Sequence, residues 1–145
     1  MAVIGDSGAI YALYDADDAH HSAVKRAVEN NPGPIIIPAA ILAELDYLLR
    51  EFLGVDAELD FLEALSGGAY TLESLTSPDL ARCRELIAKH RNLDLGLADA
   101  AVIAAAERLG VRRILTVDQR HFRAVRPQAG PALVLLPYGD KGGKM

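Results

Sequence analysis

With 145 residues, 51% of them hydrophobic and 24% charged, the chain has ordinary globular composition and length for one hydrophobic core but hardly for two. Its single cysteine, Cys83, excludes an internal disulfide and offers no metal-ligand spacing, and no apolar run approaches the roughly 20 residues of a membrane span. The net charge of −5 conceals an asymmetry: residues 1 to 65 hold 3 basic and 12 acidic side chains, residues 66 to 145 hold 12 basic and 8 acidic, so a polyanion-binding surface is to be sought in the second half.

The first 13 residues lack a basic segment and run into Asp15, Asp17 and Asp18, which does not fit a signal peptide; a soluble, cytoplasmic protein is expected. AVIGD at 2 to 6 is a short strand ending in an acid, and SGAIYALYDADD continues as a helix. HHSAVKRAVENN is helical and stops at Pro32-Gly33-Pro34. IIIP at 35 to 38 is a buried parallel strand. AAILAELDYLLREFLG repeats apolar residues at helical spacing, with Ile41, Leu45, Leu48, Leu49 and Phe52 on one face and Gly54 as its stop. DAELDFLEALSGG is a further helix, AYTLESL a short strand and loop, and Pro78 opens the helix PDLARCRELIAKH. The segment 95 to 110 is alanine-rich and apolar nearly all round, which marks a central helix; RRILTVD at 112 to 118 is a strand ending in an acid, ALVLLP at 132 to 137 a last strand, and 139 to 145 a flexible tail. Strands alternating with helices predict a single α/β domain over 1 to 138, a three-layer α/β/α sandwich around a parallel sheet of about five strands.

In such a sheet ligands gather at the carboxyl ends of the strands, where Asp6 and Asp118 both fall. Glu44 and Asp99 sit in apolar helical stretches with no Lys or Arg at helical spacing, and an unpaired buried charge costs several kcal/mol. Each acid has a plainer reading: Asp6 as a helix N-cap, Asp99 as a helix-dipole partner, Glu44 on an exposed face, Asp118 as a turn residue. A divalent cation shared by the four accounts for them together. Between Arg108 and Arg126 six arginines, Arg120 among them, face Asp118 as the only acid, and an arginine rim around an acidic pocket suits a polyphosphate. His20 and His21 read as surface or helix-start residues, Asp46 as solvated or interfacial, Tyr11, Tyr14 and Tyr47 as core or interface, and His121-Phe122 as packing.

The order of these motifs resembles the PIN-domain nucleases, and among them the VapC toxins of bacterial toxin–antitoxin pairs. The residues that carry it are DSGAIYAL at 6 to 13, AEL at 43 to 45, LGLADAA at 95 to 101 and LTVDQRHF at 115 to 122, so the likeness spans nearly the whole chain. The resemblance implies an Mg2+-dependent endoribonuclease, with Mn2+ as a possible substitute, whose catalytic acids fall on Asp6, Glu44, Asp99 and Asp118. Asp6, Asp99 and Asp118 would hold metal, and Ser7, Thr116 and Arg120 would meet substrate. It also implies a VapB-type antitoxin partner, a homodimer, and structured RNA as substrate: a transfer RNA or the sarcin–ricin loop of ribosomal RNA, cut to stop translation. AELDYLL with GVDAEL and GGAYTL is most similar to the sarcin–ricin branch. Asp94 resembles a recurrent family acid, or else caps the helix that follows. A haloacid-dehalogenase-type phosphotransferase would need a second Asp where Gly8 stands, and a receiver domain an acid where Pro38 ends the middle strand. The remaining alternative is a PIN-like module that binds RNA or protein without catalysis.

Overall fold

Punctuation by glycine and proline divides the chain as expected in a computed structural model, which describes residues 1–128 and 132–139. Strand β1 (Val3–Gly5) leads into α1 (Ser7–Tyr14) and α2 (His21–Asn30). β2 (Ile35–Pro38) is followed by a 3-10 turn (Ala39–Ile41), α3 (Leu42–Leu53) and α4 (Val55–Ser66). β3 (Thr71–Glu73) is followed by α5 (Ser77–Lys89), a second 3-10 turn (Arg91–Leu93) and α6 (Leu97–Leu109). β4 (Arg113–Leu115), α7 (Arg120–Arg123) and β5 (Val134–Leu136) complete the order.

The five strands are parallel in the order β3-β2-β1-β4-β5. Parallel neighbours need crossover connections, and right-handed crossovers put helices made on the outward and return journeys on opposite faces. Accordingly α1 packs on α2 and α3, and α3 on α4, while α5 packs on α6 and α6 on α7. The three-layer sandwich read from the sequence is therefore the observed one. The chain reverses direction across the sheet between β1 and β4, which makes that seam the crevice where a doubly wound fold binds ligands.

Sequence explains the local boundaries. Gly54, at φ +98°, ends α3 and starts α4 without a connecting loop. Thr76 and Asp79 form a reciprocal capping box at the start of α5. In α6 every residue from Ala100 to Ala106 is buried; alanine keeps the helix thin enough to lie between the sheet and α5. Ile41, Leu45 and Leu49 are fully buried as the α3 pattern requires, but Phe52 is 64% exposed, its ring meeting Tyr11 of α1 edge-on at 6.2 Å. Among the described residues no helix is long and apolar enough to cross a membrane. Of the segment expected to be a flexible tail, all but Gly139 lies outside the described residues.

Candidate active site

Register places the first acid. β1 and β4 pair with Gly5 opposite Leu115, and the Asp6 N–H donates to the Leu115 carbonyl at 2.9 Å, so Asp6 leaves the sheet at its carboxyl edge. There it caps α1, its Oδ1 accepting the Ser7 N–H at 2.9 Å. The turn is tight enough that a Cβ on Gly5 would come within 2.7 Å of Ile10 Cδ1. Thr116, one residue beyond β4, is fully buried, and its single hydroxyl proton is shared between Asp6 Oδ2 at 3.1 Å and the Asp118 carbonyl at 3.2 Å. From the other elements, Glu44 accepts a short hydrogen bond from the Ser7 hydroxyl, and Asp99 Oδ2 is held by His121 Nδ1 at 2.7 Å. Asp6, Glu44, Asp99 and Asp118 line one cavity of about 260 Å³, together with Ser7, Gly8, Leu48 and Val117 and, among the described residues, without a basic one.

Burial without a counter-charge shows in the ionisation. Burial pushes the Asp6 carboxyl up to about 6, with the charges of Asp99 and Glu44 adding to it, while the Ser7 N–H and the Thr116 hydroxyl pull against the rise. Asp99 is likewise raised, by burial first and then by Asp118 and Glu44, against the opposing pull of His121. Part of the repulsion is absorbed by the backbone. Asp6 caps α1, and Glu44 and Asp99 lie in the first turns of α3 and α6, so three helix N-termini face the pocket, each worth about 0.3–1 kcal/mol to a carboxylate. The plainer readings of Asp6, Asp99 and Glu44, which is exposed, thus hold alongside the clustered one. Glu44 is not mid-helix as the sequence suggested, because residues 39 to 41 form a 3-10 turn and α3 starts only at Leu42.

These donors fit a hard divalent cation: they are all oxygens, no Lys or Arg among the described residues pairs with them, and Asp6 gains by losing its proton to one. They do not form a ready-made cage, since among the described residues no three acids or other ligating side chains converge on one point. Mg2+ accepts such a pocket because it keeps several waters and uses only one or two carboxylates directly.

The structure redistributes the other expected residues. Ser7 lines the cavity with its hydroxyl engaged by Glu44; Thr116 has no exposed surface to offer a substrate and braces Asp6 instead. Arg120 is exposed beside His121, with Nη2 at 3.4 Å from Nε2. The arginine rim does not exist as a unit. Arg108, at the far end of α6, pairs with Glu73 at 2.8 Å and Asp79 at 2.9 Å, and Arg112 and Arg113 stand beside Met1 at the strands' opposite ends. Asp94 adopts a left-handed conformation at the end of the 3-10 turn, Gly96 rather than Asp94 precedes α6, and neither residue lines the cavity. His121, read as packing, proves to be the partner of Asp99; two residues 22 apart with no helical spacing give the sequence no signal for that contact.

The PIN domain matches as a family over residues 3–127. The chain is 36% identical over 135 residues to Ribonuclease VapC26 of Mycobacterium tuberculosis, covering 93% of this chain and all of that one. Among solved structures it is similar to the M. tuberculosis VapC20 toxin, described as cleaving the sarcin–ricin loop, with TM-score 0.78 and 21% identity over 89% of this chain and 99% of that one. It is also similar to VapBC2 from Rickettsia felis bound to a DNA fragment of its promoter, with TM-score 0.66 and 14% identity over 93% and 97% of the two chains.

Proposed function

The chain belongs to the PIN-domain family and, within it, to the VapC ribonucleases, and from that premise we propose that its acidic pocket is an Mg2+-dependent endoribonuclease site in a single domain spanning residues 1 to 138. It is the toxin of a toxin–antitoxin pair. The observation that carries the site is the convergence of Asp6, Glu44, Asp99 and Asp118 on one cavity with no basic residue among the described residues of its wall.

Asp6 and Asp99 are the proposed ligands of the principal ion, with the exposed Asp118 supporting it or a second one. When bound, Mg2+ supplies Lewis-acid polarisation of the scissile phosphodiester and offsets the charge that develops on it. Thr116 and the Ser7 N–H keep Asp6 oriented, and the Ser7 hydroxyl holds Glu44 Oε1. Glu44, the more exposed carboxylate, orients the attacking water and takes its proton. Arg120 is the proposed contact to a substrate phosphate, from outside the cavity. A structured RNA with an unstacked loop, a transfer RNA or the sarcin–ricin loop, is the substrate favoured, since only unpaired nucleotides present both backbone and bases for reading.

The antitoxin, of VapB type, has a landing place in the apolar face that α3 and α4 leave open, where Tyr47, Phe52, Leu59 and Leu62 are exposed; the same helices offer a surface for a homodimer. The decisive experiment incubates antitoxin-free protein with total RNA and Mg2+, beside an EDTA control and Asp99→Asn, and maps new fragment ends. Discrete cuts that vanish in both controls are expected. Absence of cleavage in Mg2+ and Mn2+ by folded protein would overturn the enzyme and leave an RNA- or protein-binding module.

A further inference from the structure

We infer that His121 is a positioning residue for the acid Asp99, fixing by one hydrogen bond the oxygen that metal does not take. The inference rests on the metal site proposed above, and on geometry that site does not itself require. The His121 ring is nearly enclosed, with its side chain 12% exposed, and its Nδ1 lies 2.7 Å from Asp99 Oδ2. A carboxylate only accepts, so the proton between them sits on Nδ1. On the other side of the ring, Arg120 Nη2 faces Nε2 at 3.4 Å, and a guanidinium only donates, which leaves Nε2 as an acceptor. The two neighbours together fix the ring, with Nδ1 towards Asp99 and Nε2 towards Arg120. The ring holds Asp99 through Oδ2 alone, and Asp99 Oδ1 has no hydrogen-bond partner among the described residues.

The ring is held in turn by its own element. Phe122 is buried and anchors α7, and Gln119 Nε2 donates to the Thr116 carbonyl at 3.2 Å, so the turn that carries Thr116 and Asp118 also sets where His121 stands. Anchorage by Phe122 means that His121 is not needed to pack the helix. A side chain that orients a metal ligand from behind typically governs metal affinity by 10- to 100-fold.

Two substitutions separate the ring nitrogens. The amide nitrogen of Asn falls where Nδ1 lies, and that of Gln where Nε2 lies, so His121→Asn keeps the donor to Asp99 and His121→Gln displaces it. Mn2+ binding followed by the electron-paramagnetic signal of the free ion is expected to stay within a few-fold of the parent for His121→Asn and to weaken about tenfold or more for His121→Gln. Thermal midpoints should be alike, and the cleavage defect of His121→Gln should lie in kcat at limiting metal rather than in KM for RNA. Equal Mn2+ affinity in the two variants, at whatever level, overturns the inference. A parent chain that takes up no Mn2+ overturns the metal site, and this role with it.

Discussion

At Asp6 burial works against ionisation, and the turn from β1 into α1 holds the carboxyl at the inner wall of the cavity. A carboxyl raised from 3.8 to about 6 favours the folded state only while protonated. Its contribution is present below pH about 4 and lost as pH rises through about 6, a span of order 3 kcal/mol for two units of pKa. Asp6→Asn removes that liability, since its amide still accepts from the Ser7 N–H. In EDTA the variant is expected to exceed its parent in stability by about 1–3 kcal/mol at pH 7.5, with the gap closing towards pH 4.5. Urea unfolding at the two pH values measures it, and a gap that does not depend on pH would count against the buried-acid account. The same variant should lose metal-dependent cleavage. Asp6 and Asp118 could be paired from sequence because each ends an apolar run, whereas His121 could not be assigned to Asp99, because only the packing of α7 against α6 brings them together.

Helices α3 and α4 meet through a pair of acids. Asp46, half-buried on α3, faces the buried Glu58 of α4, and the approach of its carboxyl, followed by burial, raises the Glu58 carboxyl, with Arg50 at 3.8 Å opposing. A raised acid stabilises at low pH and ceases to do so as pH climbs through its folded value, so this helix pair should loosen from acid towards neutrality. Glu58→Gln supplies the donor without needing a proton. Its thermal midpoint should exceed the parent's at pH 7.5 and fall to parity or below near pH 4; a lower midpoint at both would mean that the Arg50 contact is the stronger one. The two helices were legible from apolar spacing and Gly54. The acid pair was not, since it depends on how two helices joined without a loop fold against each other. Residue α7 boundaries were equally hidden: four residues, RHFR, carry no periodicity. Adjacency in sequence also misled at the arginines, because α6 runs back along the sheet and delivers Arg108 to its far edge.

Over the whole molecule, acidic pocket and apolar face occupy different places. Tyr47, Phe52, Leu59 and Leu62 are exposed on α3 and α4, and none of them lines the cavity of the four acids. If that face receives the antitoxin, Phe52→Asp combined with Leu59→Asp should abolish co-purification of the pair. The thermal midpoint should hardly move, since exposed substitutions of this kind usually stay within about 0.5 kcal/mol each. Retention of the complex would place the antitoxin elsewhere. One further consequence follows from the pairing of β1 with β4 in the middle of the sheet. Asp6 and Thr116, which braces it, stand 110 positions apart, and Asp99 and His121, which holds it, stand 22 apart. A nascent chain of 110 residues already carries three of the four acids but has no strand to close the seam beside them. Acid chemistry and the scaffold that orients it are thus written in distant parts of the chain, and only closure of the β1–β4 seam joins them.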